Sequence, residues 1–286
     1  MTRIAYVNGD FIPLENARIS ILDRGFLFAD GIYEVSAVLD GKLVDNDSHL
    51  TRLERSLGEI RLTLPLDLAS IEALQLELIR RNALVNGIVY LQVTRGAGER
   101  NFLFPDATLP SLVMFTQMKD IAGAPGGTRG IAIKTVEDIR WQRRDIKNIG
   151  LLAQVLAKQV AAEAGCAEAW MTEGGRITEG ASSSAFIITQ DNVIVTRPDS
   201  NTVLPGCTAK AVVQLAEEAN LVIEHRAFTL AEALEAKEAF MTSASTFVQP
   251  VIKIDNQNVG SGEPGPLTQR LRAIYINFAR QVREPL

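Results

Sequence analysis

The chain opens on alternation. Ile4 to Val7, the pair Asn8-Gly9 and Phe11-Ile12 predict two short strands around a tight turn, because strand side chains switch faces at every residue and Asn-Gly tolerates the backbone of a hairpin turn. Val35 to Leu39, Asp40-Gly41 and Lys42 to Val44 repeat the pattern. The period then lengthens. Leu50, Leu53, Leu57 and Ile60 within Ser48 to Ile60, and Ile71, Leu74, Leu78 and Ile79 within Leu68 to Leu84, recur at helical spacing and predict two helices packed on that sheet. Ile88 to Thr94 and Ser111 to Thr116 return to strand character on either side of a long segment, Gly96 to Pro110. This segment carries Arg100, Phe102, Leu103 and Phe104, and loops of this length and aromatic content are often functional.

Small residues and turn formers gather between Lys119 and Thr128, so a linker is expected at 119–128, between a small N-terminal domain over 1–118 and a larger domain over 129–286. In the second domain Ile131 to Val136 predicts a strand and Leu151 to Glu163 a helix. Glu168 to Thr172, Ala185 to Thr189 and Val193 to Thr196 predict a meander. Strands and helices alternate irregularly, which argues for an α+β or mixed-barrel architecture over a doubly wound parallel sheet. No Gly-x-Gly-x-x-Gly opens a helix.

Composition narrows the chemistry. The 286 residues are 47% hydrophobic and 22% charged with a formal charge of −5, which disfavours a polyanion surface and points to small-molecule partners, with no nucleic acid and no membrane. Cys166 and Cys207 lack metal-type spacing and suggest a reducing compartment. With no apolar stretch of spanning length and no signal peptide, a cytoplasmic protein is expected. Only His49 and His225 are available, so a histidine-rich metal centre is excluded, no metal is expected, and a Ser-His-Asp arrangement is disfavoured. His225 reads as a strand residue and His49 as a surface or packing residue.

The chemistry that remains centres on Lys147, at the opening of the apolar helical run Asn148 to Ala157. A desolvated amine there is suited to attack a carbonyl, although a lysine bordering an apolar helix also commonly snorkels into water. Leu204-Pro205-Gly206-Cys207-Thr208 precedes an amphipathic helix and offers an anion site at a helix N-terminus; the plain alternative makes Thr208 an N-cap. Thr242 to Thr246 is a second polar turn able to serve the same anion. Arg52 falls beside Leu50 and Leu53 on the core side, where a guanidinium wants a bidentate anion. Glu179 can set a carboxylate beside a protonated ring nitrogen, or simply end a strand. Taken together, these groups describe a pyridoxal phosphate site.

Four motifs occur in order: Asp23 to Val35 (Asp-Arg-Gly-Phe-Leu-Phe-Ala-Asp-Gly-Ile-Tyr-Glu-Val), His49-Leu50-Thr51-Arg52-Leu53, Asp138-Ile139-Arg140-Trp141 through Asp145-Ile146-Lys147, and Thr178-Glu179-Gly180-Ala181-Ser182-Ser183. With them the chain resembles the D-amino-acid (D-alanine) aminotransferases of pyridoxal-enzyme fold type IV, from about Tyr6 to Ile252. The resemblance implies an α+β two-domain enzyme with a small N-terminal α/β domain and a larger C-terminal pseudo-barrel. It further implies that pyridoxal 5'-phosphate is bound as a Schiff base on Lys147, that Glu179 pairs with the pyridinium nitrogen, and that Arg52 holds the phosphate. Thr208, Ser243 and the amides at Cys207 and Ala244 would complete the phosphate pocket. Leu204 would support the ring face, with Ser182 and Ser183 nearby.

The implied reaction moves the amino group of a D-amino acid of the D-alanine or D-glutamate type to a 2-oxo acid by a ping-pong sequence, Lys147 serving as anchor and base. The substrate side would be built by Tyr33, Val35, Arg100 and Phe102, with the Arg100 loop reaching the neighbouring site of a homodimer. One position departs from the family: its Arg-x-His pair is Arg100-Asn101-Phe102 here, so one carboxylate donor is missing. Arg143 and Arg144 read as surface charges or as a compensating contact. The same fold also serves (R)-selective amine transaminases, aminodeoxychorismate lyases and branched-chain aminotransferases, and a non-enzymatic cofactor carrier is the plainest alternative.

Overall fold

A computed structural model describes residues 2–64 and 66–281. They divide into two compact units. The first holds the described residues up to Asp120 together with Ile146–Gly150; the second holds Ile121–Asp145 and 151–281. The strip around Lys147, separated in sequence from the rest of the first unit, packs with it.

The first unit is built on β1 (Ile4–Val7), β2 (Asp10–Pro13), α1 (Arg24–Phe28), β3 (Gly31–Leu39), β4 (Lys42–Val44), α2 (Asn46–Glu59), α3 (Leu68–Arg81), β5 (Gly87–Thr94) and β6 (Ser111–Met118). Its strands form one antiparallel sheet in the order β2-β1-β6-β5-β3-β4. Gly87, Val89, Leu91 and Val93 of β5 alternate inward, as strand periodicity requires, and the core joins Val89, Leu91 and Val93 to Leu50, Leu53 and Leu57 of α2 and Ile71 and Leu78 of α3. Each such buried side chain contributes about 1.5–3 kcal/mol. The short α1 was not foreseen. It forms because Asp23 accepts from the Gly25 N–H at 2.8 Å and from the hydroxyls of Thr94 (2.9 Å) and Ser111 (2.7 Å), anchoring one turn to two strands.

The second unit contains α4 (Pro125–Arg129), β7 (Ile131–Glu137), α5 (Leu152–Glu163), β8 (Glu168–Glu173), β9 (Arg176–Gly180), β10 (Ser184–Ile188), β11 (Ile194–Thr196), α6 (Cys207–Glu218), β12 (Ile223–His225), α7 (Leu230–Glu235), β13 (Glu238–Ser243), β14 (Phe247–Ile254), β15 (Gln257–Asn258) and α8 (Pro266–Gln281). Its nine-stranded sheet runs β12-β11-β10-β13-β14-β7-β8-β9, with β15 on β14. It is mixed: β7 pairs parallel with both β14 and β8, while β10, β13 and β14 are antiparallel. Phe186 and Phe240 face each other in register and stack at 4.6 Å. Helix α8 went unpredicted. The buried Glu238 carboxylate accepts from the Leu267 and Thr268 amides at its start, the placement a helix dipole favours. Among the described residues no helix is long and apolar enough to cross a membrane, and no group of three or more His, Cys, Asp or Glu side chains could hold a metal ion.

Candidate active site

Lys147 does not open a helix. Helix α5 begins at Leu152, and Lys147 lies instead on an extended strip bonded to β3: the Tyr33 N–H donates to the Lys147 carbonyl (3.1 Å), the Ile149 N–H to the Gly31 carbonyl (3.2 Å), and Asn148 pairs with Ile32. The helix cannot start earlier because the Asn148 side chain turns back to accept from the Gly150 N–H at 2.8 Å, a local bond that competes with helix. Gly31 lets the strip approach, since a Cβ there would lie 2.7 Å from the Val93 carbonyl and 3.1 Å from Ile149. The half-buried amine of Lys147 rests 4.2 Å from the centre of the Tyr33 ring.

Tyr33 and Val35 share the half-buried face of β3, where Tyr33 stacks on Tyr90 and Tyr90 on Phe115. Glu34 points to the opposite face and is 1% exposed. Arg52 grips it with two nitrogens, Nε to Oε1 and Nη2 to Oε2, both at 2.8 Å, while His49 Nδ1 meets Oε2 at 2.8 Å. Burial alone would raise the Glu34 pKa, but Arg52 and His49 hold it well below the usual carboxylate range. The bidentate anion expected for Arg52 is thus supplied in part by the chain itself, and His49 is a buried partner in that cluster.

The long loop after β5 is pinned from within the first unit. Arg24, paired with Asp30 at 2.8 Å, donates to the Asn101 carbonyl at 2.5 Å, and Phe104 lies under the Arg95 guanidinium at 3.7 Å. Phe102 is 78% exposed, meets the Phe28 ring in a tilted contact at 5.4 Å, and with it flanks the exposed Arg100 guanidinium at 5.5 Å. Neither Arg100 nor Phe102 is drawn into the core.

In the second unit Glu179 lies inside β9, 5% exposed. Arg140 Nη1 donates to its Oε1 at 2.5 Å, and the Leu204 N–H is shared between Oε1 (3.2 Å) and Oε2 (3.1 Å). Burial pushes the Glu179 carboxyl above its ordinary value, and the opposing pull of Arg140 and Leu204 does not overcome it. A carboxylate accepts at about four lone-pair positions, and one guanidinium N–H plus one shared amide leave capacity for a further cationic donor. Thr178, Glu179, Leu204, Gly206, Arg197 and Lys210 help line a cavity of about 230 Å³.

The phosphate candidates of the second unit come together. Gly206, not Thr208, caps α6; Thr208 is the buried second residue of the helix, and no side chain caps the first turn, whose amides lack intrahelical acceptors. A Cβ on Gly206 would lie 2.6 Å from Ser184 Oγ, and Ser184 pairs across the sheet with Thr242, so Cys207 and Thr208 stand at the same end of the strands as Ser243 and Ala244. The Thr242 hydroxyl is buried without a partner among the described residues, and Ser243 Oγ meets Thr246 Oγ1 at 2.7 Å. Ser182 and Ser183 turn elsewhere, donating to the buried Glu168 at 2.7 and 3.3 Å.

Two expectations change. Arg144 is 4% exposed and donates to Glu173, the Trp141 carbonyl and the Thr202 carbonyl, with Asp138 at 3.3 Å; it is a core cation, not a surface one. Arg143 pairs with Asp145 at 3.0 Å. Arg140 belongs to one of the sequence motifs yet carried no expected role, although a cation two residues from an acid and close to a turn is a visible sign of pairing.

A family model described as amino-transferase class IV matches residues 31–254. The D-alanine aminotransferase of Staphylococcus aureus (strain MSSA476) is 38% identical over 276 residues, covering 96% of both chains. That of Bacillus licheniformis is 38% identical over 270 residues, covering 94% of this chain and 95% of its own. The solved branched-chain amino acid aminotransferase from Escherichia coli superposes with a TM-score of 0.88 at 21% identity, covering 98% and 95% of the two chains. A branched-chain amino acid aminotransferase from T.th., solved with pyridoxamine 5'-phosphate, gives 0.90 at 23%, covering 99% and 96%. These last two carry the fold alone.

Proposed function

The chain belongs to the class IV aminotransferases, and from that premise we propose that it moves the amino group of a D-amino acid to a 2-oxo acid with pyridoxal 5'-phosphate. The observation that carries the reading is the Lys147 amine, presented over Tyr33 by a backbone strip bonded to β3. The residues fit the cofactor: a carboxylate with spare acceptor capacity at Glu179, and an uncapped α6 start beside the orphaned Thr242 hydroxyl for the phosphate.

When bound, pyridoxal phosphate supplies a carbonyl for the amine and an electron sink that acidifies the substrate Cα–H. Lys147 would hold the cofactor through its ε-nitrogen, and the same amine, once free, would serve as the base that takes up the substrate Cα proton. Glu179 would hold the ring nitrogen in its charged form. Cys207, Thr208, Ser243 and Ala244 would bind the phosphate. Tyr33, Val35 and Arg100 orient the substrate, with Phe102 as an apolar wall.

Leu152, Val155, Leu156 and Val160 leave an exposed apolar face on α5, which supports a homodimer in which the Arg100 loop serves the neighbouring site. The dimer acts in the cytoplasm. An (R)-amine transaminase is the second reading, favoured by Phe102 where the family has histidine. Incubation with D-alanine, L-alanine and (R)-1-phenylethylamine, each with a 2-oxo acid, decides: turnover of D-alanine is expected, and turnover of the amine alone would reject the first reading. Sedimentation tests the dimer; an active monomer would contradict it.

A further inference from the structure

The segment Asp138-Ile139-Arg140-Trp141 leaves β7 and returns a buried cation to β9. Arg140 spends three of its nitrogens on two carboxylates: Nε and Nη2 on Asp138 at 2.9 and 2.7 Å, and Nη1 on Glu179. Asp138 is itself fixed by the Thr178 hydroxyl at 2.7 Å and by Arg144 at 3.3 Å, and Arg144 reaches Glu173 at the edge of solvent. The result is a buried file of alternating charge that ends on Glu179. Resting on the assignment of Glu179 above, we propose that Arg140, braced by Asp138, is a positioning residue that keeps Glu179 oriented and anionic toward the ring nitrogen.

The energetics favour this over a purely structural bridge. Asp138 receives the bidentate side of the guanidinium and so fixes its plane, leaving one directed N–H for Glu179. Without that N–H, the buried carboxylate would keep only the shared Leu204 amide against a desolvation penalty that already prevails. Other charged groups near Glu179 are Arg197, which its field reaches, and Lys210, His225 and Asp199 on the same cavity wall. Arg140 is the cation in direct contact with the carboxylate.

The test uses holoenzyme: wild type, R140Q, R140K, D138N, E179Q and the R140Q/E179Q double variant. Steady-state kinetics are read beside the cofactor absorption spectrum as a function of pH. In R140Q kcat should fall about tenfold to a hundredfold with KM little changed, the fold-change that corresponds to losing one hydrogen bond to a charged group. The spectral midpoint should move in the same direction as in E179Q, and R140K should recover part of both. The double variant should lose no more than E179Q alone, because the two residues act as one unit. A wild-type spectral titration in R140Q, or losses that multiply in the double variant, would overturn the proposal. If R140Q fails to fold, D138N decides: a spectral shift toward that of E179Q supports the proposal, and a wild-type titration sinks it. An E179Q enzyme with unaltered kinetics would instead reject the role of Glu179 itself.

Discussion

Two buried glutamates, Glu34 in the first unit and Glu179 in the second, each meet an arginine, yet their protons are bound in opposite senses. Glu34 takes both ends of the Arg52 fork plus His49, and the paired charge prevails over burial. Glu179 takes a single N–H from an arginine whose bidentate side is committed to Asp138, and burial prevails. Donor geometry, more than the mere presence of a cation, thus separates a fixed structural anion from one able to respond to a bound partner.

The most disruptive change should be R52M. It leaves a buried carboxylate without its main counter-charge, which costs about 3–5 kcal/mol of stability, and urea unfolding should show it; a loss under about 1 kcal/mol would mean that Arg52 matters little to Glu34. In contrast, E179Q should leave stability near wild type while lowering kcat about tenfold to a hundredfold, because it removes a charge that burial already opposes.

Acid behaviour separates the pair further. The Glu34 pKa is depressed on folding, so its contribution is complete above the ordinary carboxylate range and is lost as pH falls below it. The Glu179 pKa is raised, so stability from this residue is present at low pH and declines as pH rises from the ordinary value through the folded one. With cofactor removed, melting temperature against pH should lose a rising limb in E34Q and a falling limb in E179Q. Parallel curves for the two variants would contradict the comparison.

The smallest effect is expected at Phe102. Restoring histidine adds a hydrogen bond to the substrate carboxylate worth about 1.5–3 kcal/mol and gives up the Phe28 contact, worth about 0.5–1.5 kcal/mol. A net of about 1 kcal/mol corresponds to KM for D-alanine falling about fivefold in F102H. An unchanged KM would place Phe102 outside the substrate site.

Much of the first unit is legible in its periodicity, because Leu50, Leu53 and Leu57 repeat at helical spacing and Asn8-Gly9 and Asp40-Gly41 mark real hairpins. The chemistry of Lys147 is visible in the sequence but its backbone is not: an apolar run from Asn148 looks helical, and only the pairing with β3, distant in sequence, holds it extended. Arg52 does read as a buried cation in need of an anion. That Glu34 is that anion depends on β3 and α2 packing together, which no local pattern reveals. The same holds for Arg140, whose link to Glu179 spans 39 residues. Helix α8 carries a repeat at helical spacing in Leu271, Tyr275 and Phe278.

Lys147 as the attachment point of the cofactor is the claim on which the rest depends. Reduction of the holoenzyme with borohydride, followed by digestion and mass spectrometry, should find a pyridoxyl group on the ε-nitrogen of Lys147. An unmodified Lys147 peptide, or the group on another lysine, would contradict it.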